Sequence, residues 1–140
     1  MVVRQFFHLA SRGFLFLGLL VAWAEPARAD FTGWTVEQGQ VNITESSIQF
    51  SYQWGRVAKV ISAPAGTTVS ASVTIDNTTA NTIGYQGQTA DEWTITFSSG
   101  QEAVTVSGNE IGTTQQTVQV VVPEGSDSAV LRIAGIDNGY

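Results

Sequence analysis

Residues 30–140 predict an all-β domain, an antiparallel β-sandwich or jelly roll. Three observations carry that prediction. Apolar residues recur at every second position in several short runs, as they do where a strand sends alternate side chains to opposite faces. Gly, Pro, Asn and Asp punctuate the runs at turn spacing. Thr, Val, Ser and Gly fill the positions where a helix would need stronger helix formers.

The element that organises the rest is the stretch 48–61. Ile48, Phe50, Tyr52 and Trp54 alternate with Gln49, Ser51 and Gln53, which predicts one aromatic face and one wet face. These four side chains are expected at the centre of the core. Gly55 breaks the alternation and Val57, Ala58, Val60 and Ile61 resume it, so two strands are expected, joined or kinked at Gly55. Pro64-Ala65-Gly66 ends the second.

Shorter candidates precede them at 31–36 and 41–44, separated by a turn at Gly39. Then 68–76 alternates cleanly, with Val69, Ala71, Val73 and Ile75 inward and Ser70, Ser72 and Thr74 outward, as in a half-solvated antiparallel strand. The pattern is lost between Asp76 and Glu92. Trp93, Ile95 and Phe97 restore it, 103–106 is a weaker candidate, and Val118, Val120 and Val122 form another inward set before Pro123. The last strand is expected at 130–133. About nine short strands with regular turns and no internal repeat describe one unit.

The first 29 residues read differently. Arg4, His8 and Arg12 precede an apolar segment from Phe14 to Ala24, and Ala27-Arg28-Ala29 follows with small residues at a cleavage spacing. This is the layout of a secretory signal peptide. The apolar middle falls short of the roughly 20 residues that a spanning helix needs. The expectation is removal of 1–29, no membrane span afterwards, and an exported 30–140 domain in the periplasm or at the cell exterior.

That domain holds Arg56, Lys59 and Arg132 against eleven carboxylates, a formal charge of −8. Such a balance repels phosphate backbones, so nucleic acid is not expected as a partner. Cys is absent, and the one His, His8, lies in the leader. The exported chain therefore has no Ser–His–Asp or Cys–His set and no imidazole or thiolate metal ligand. A glycosidase would need two carboxylates across a cleft, and nothing singles out a pair among the eleven. No enzyme is expected. No cofactor is expected either, although Asp91-Glu92 with neighbouring loop carbonyls could hold a structural calcium.

The long unpatterned segment is the first candidate binding site. Loops of that length in a compact domain are commonly functional or disordered. Tyr85, flanked by Gly84 and Gly87, could stack on a sugar ring, with Asn77, Asn81, Gln86, Gln88 and Asp91 bonding to hydroxyls. The alternative is that Tyr85 plugs the loop onto the sandwich. Trp54 and Trp93 are expected in the core because they keep register with aliphatic residues, while Trp34 is open. Asn42-Ile-Thr44 and Asn77-Thr-Thr79 match the glycosylation tripeptide but read as ordinary strand-end and turn residues.

Three segments together, Trp34-Thr-Val36, the run from Ile48 through Trp54 to Ile61, and Val130-Leu-Arg-Ile-Ala-Gly-Ile-Asp-Asn-Gly-Tyr140, resemble the F-box-associated type of galactose-binding-like jelly roll. Exported bacterial relatives of that family lack an F-box. In the family the last strand enters a turn Gly-x-Asp-x-x-Tyr-Trp-x-Gly, and Gly135, Asp137 and Tyr140 match it. The resemblance implies a non-catalytic carbohydrate-binding module with Tyr85, Asp91, Asp137, Asn138 and Tyr140 toward a glycan or small carbohydrate. The sequence stops at Tyr140, before the Trp, the Gly and the closing strand, so the resemblance also implies C-terminal truncation. A missing strand would leave a sheet edge open to another protein, which gives the second reading: a structural or adhesive surface protein.

Overall fold

The computed structural model describes residues 2–11, 31–50, 54–77, 92–110 and 112–135, the first of these as backbone only. Every strand pairing is antiparallel, and no helix occurs among the described residues. The domain is a β-sandwich. The described residues form ten strands in chain order: β1 (Val2–Ser11), β2 (Trp34–Gln38), β3 (Val41–Ile43), β4 (Ile48–Phe50), β5 (Gly55–Ser62), β6 (Thr67–Asp76), β7 (Trp93–Ser99), β8 (Glu102–Gly108), β9 (Thr113–Val121) and β10 (Ser128–Gly135). One five-stranded sheet has the order β3-β4-β1-β6-β9 and the other β2-β5-β10-β7-β8. Successive edge strands lie across from one another in the two sheets, β2 and β3 at one side and β8 and β9 at the opposite side, and the chain also crosses between sheets at β4–β5, β5–β6, β6–β7 and β9–β10.

The alternating runs form the strands they predict. In β6, Val69, Ala71, Val73 and Ile75 are fully buried, and their neighbours Ser70, Ser72 and Thr74 are half-buried. Trp93, Ile95 and Phe97 of β7 and Ala129, Leu131 and Ile133 of β10 face them from the second sheet. Val118, Val120 and Val122 complete the layer. Side chains this size each contribute about 1.5–3 kcal/mol on burial. Ser99, also buried, donates its hydroxyl to the Ser128 carbonyl at 2.6 Å and so satisfies a polar group inside the rim.

The weight of the core differs from expectation. Ile48 and Phe50 are buried as predicted, but Trp54 is 43% exposed and Tyr52 lies outside the described residues. The reason is at Gly55. β4 belongs to one sheet and β5 to the other, so the chain leaves its plane here and the alternation does not carry through. A Cβ on Gly55 would sit 2.5 Å from Val41 Cγ2 and 3.0 Å from the Phe50 ring, so only glycine lets this crossing pack. The centre of the core lies instead on β6, β7 and β10.

β10 is flanked on both sides, by β5 and β7, so the last described strand is not an edge. At the end of the sandwich remote from Asn77 and Glu92, two turns repeat one chemistry. Thr67 N–H donates to the Pro64 carbonyl and Ser126 N–H to the Pro123 carbonyl, both at 3.1 Å. Gly66 and Gly125 take the positive φ that the third position of such turns requires.

Candidate functional site

The opposite end holds the strand termini from which the two segments singled out for binding depart. Gly135 pairs with both Gly55 and Trp93, and Trp93 with Gly108, so β5, β7, β8 and β10 have termini there. In the other sheet Asp76 pairs with Thr113, and Phe50 with Val41. The described residues that flank 78–91 and precede 136–140, namely Asn77, Glu92 and Gly135, therefore all stand at this end. Tyr85, Asp91, Asp137, Asn138 and Tyr140 themselves lie outside the described residues. Their anchor points are adjacent.

The floor of this end is rigidly built. Asn77 is 1% exposed; its backbone N–H donates to the Gly112 carbonyl at 2.8 Å and its side-chain amide to the Glu110 carbonyl at 3.1 Å. This corrects the expectation that Asn77 bonds to ligand hydroxyls: its amide holds β6 to the β8–β9 connection. Trp93 is core, as expected, and its indole lies over Gly108, where a Cβ would come within 2.5 Å of Cζ2 and also meet a Glu110 carboxylate oxygen. The buried Trp93 Nε1–H has no acceptor among the described residues. An open cavity of about 330 Å³ runs past it, lined by Glu92, Thr94, Ser107 and Asn109. No cluster of three metal-ligating side chains occurs among the described residues, and Asp91 is not one of them.

A second depression lies beside the β2–β3 turn, lined by Val36, Gln40, Val41, Asn42, Gln49 and Phe50. Asn42 donates its amide to Gln49 Oε1 at 3.2 Å on the exposed face. Trp54 stands close by, since Gly39, with φ of +74°, packs on the Trp54 carbonyl. Trp34, left open by sequence, is buried and tilted against Phe31 with ring centroids 6.4 Å apart.

Sequence reasoning thus missed Trp54 as a surface group, and it gave no binding role to Gln40, Asn42 and Gln49, which line this depression. The available signal was Gly55 itself: an alternation that runs into a sheet-changing glycine need not keep its last member inside. Charge on the sheet surface is partly paired, because Glu37 meets Arg56 Nε at 2.9 Å and Arg132 Nε at 3.2 Å.

No protein-family model matches the chain, and no curated protein and no solved structure matches it significantly.

Proposed function

We propose that the chain is an exported, non-catalytic carbohydrate-binding module whose ligand lies across the end of the sandwich where residues 78–91 and 136–140 are anchored. The observation that supports this reading is that the residues flanking both segments, Asn77, Glu92 and Gly135, stand at one end, where Trp54 is exposed and Gln40, Asn42 and Gln49 line a depression. Sugar sites pair an aromatic platform with a few polar groups, and neutral amides suit hydroxyls better than they suit ions. Tyr85, Asp91, Asp137, Asn138 and Tyr140 are the residues assigned to the ligand on the loops, and a galactose-binding-like jelly roll is the family reading that accompanies them. Titration of folded 30–140 against a glycan array tests the proposal. Saturable binding to one sugar class is the expected result, and a flat array from folded protein overturns it.

A second reading, a surface protein that engages another protein through a sheet edge, is favoured by one observation. The sheet β3-β4-β1-β6-β9 is completed by Val2–Ser11, which belong to the predicted leader.

A further inference from the structure

β1 is not a peripheral strand. It pairs with β6 over ten consecutive positions, from Val2 opposite Asp76 to Ser11 opposite Thr67, and with β4 at Val2–Gln49 and Val3–Ile48. It therefore separates β4 from β6 in the middle of its sheet. If residues 1–29 leave on export, β6 loses one of its two neighbours, and a row of backbone donors and acceptors opens over the fully buried side of Val69, Ala71, Val73 and Ile75.

From this we infer that the exported domain carries a strand-acceptor slot between β4 and β6, filled in trans by an extended segment of a different protein; the inference rests on the export reading and specifies the partner in the second functional reading. The donor runs antiparallel to β6 for about ten residues, because β1 shows that a strand of that length fits in continuous register. Directly opposed residues of an antiparallel pair share a face, so the positions opposite Ile75, Val73, Ala71 and Val69 require apolar residues. The positions between them oppose Thr74, Ser72 and Ser70 and tolerate polar ones. The donor is cationic or neutral, since the exported domain has three cations against eleven carboxylates. Residues 2–11 have this composition, with Arg4 and His8 and no acid, yet Gln5 occupies the position opposite Val73. The leader segment is thus a serviceable but imperfect occupant, suited to be replaced. A second copy of the chain is a poorer donor, because every described strand after residue 29 already belongs to a sheet.

The test uses the exported chain 30–140 and a synthetic peptide of residues 2–11, with binding followed by calorimetry and thermal unfolding. One-to-one saturable binding with a raised Tm is expected. A Phe7→Asp peptide, altered opposite buried Ala71, loses at least about 100-fold in affinity. A Phe6→Asp peptide, altered opposite Ser72, stays within about threefold, and Gln5→Val binds more tightly. The precursor 1–140 binds no peptide. Absence of binding by folded 30–140, or equal losses for Phe6→Asp and Phe7→Asp, overturns the slot. If 30–140 does not fold alone, refolding with the peptide restores a β spectrum; failure to do so overturns the slot as well. A stable dimer of 30–140 closed to the peptide assigns the slot to a second copy and overturns the choice of donor. Intact mass of the exported chain separates the premise from the slot: retention of residues 2–11 overturns the export reading itself, whatever the peptide does.

Discussion

Two side chains of the same type illustrate how much depends on a neighbouring glycine. Trp93 closes the end of the core because Gly108 leaves room for its ring, and Trp54 stands outside because Gly55 turns the chain into the other sheet. Gly108→Ala would drive a methyl into the indole and the Glu110 carboxylate, an overpacking that costs about 1–3 kcal/mol. Urea unfolding with tryptophan fluorescence reads this as a lower midpoint and a changed emission; an unchanged midpoint would show that the ring can shift without loss. Trp54→Ala should do the opposite. With nearly half its surface in solvent, its loss should change stability by less than about 1 kcal/mol while abolishing the proposed sugar binding. Retained affinity in the same titration removes Trp54 from the site.

At the level of strands, the two sheets divide the work unequally. β7 and β10 lie inside their sheet with alternate residues fully buried, whereas β8 is an edge strand that faces water over most of its length. Phe97→Ala on β7 should cost about 3–5 kcal/mol, enough to unfold a marginal domain. Val104→Ala, paired directly across from it on β8, should cost far less, about 1 kcal/mol or below, because Val104 is already 40% exposed. Chemical denaturation of both variants checks the contrast. Comparable losses would mean that β8 contributes to a buried surface rather than to an open edge.

For the molecule as a whole, charge sets its company. The domain from residue 30 carries eleven carboxylates, and Glu37 already engages two of its three cations. It should show no salt-dependent retention on duplex DNA or on anionic vesicles at low ionic strength, where attraction would be strongest. Co-sedimentation measures this, and binding that weakens with salt would point to a basic surface formed elsewhere in the chain.

The alternating runs 68–76, 93–97 and 118–122 were legible in the sequence because period-two burial is a local property: each residue's face follows from its neighbours in the chain. The turns at Gly39, Gly66 and Gly125 were legible for the same reason, as positive φ favours glycine wherever it occurs. Asn77 and Trp54 exchanged roles because neither was decided locally. A buried amide that bonds to Glu110 and an aromatic left outside by a change of sheet depend on partners more than thirty residues away or on a second layer. So the sequence alone determined an acidic, cysteine-free sandwich of short strands and marked two segments for recognition. Only the tertiary structure decided that the residues flanking those segments stand at one end, and that a strand from the predicted leader sits inside a sheet, because strand order is set by long-range pairing that no local pattern encodes.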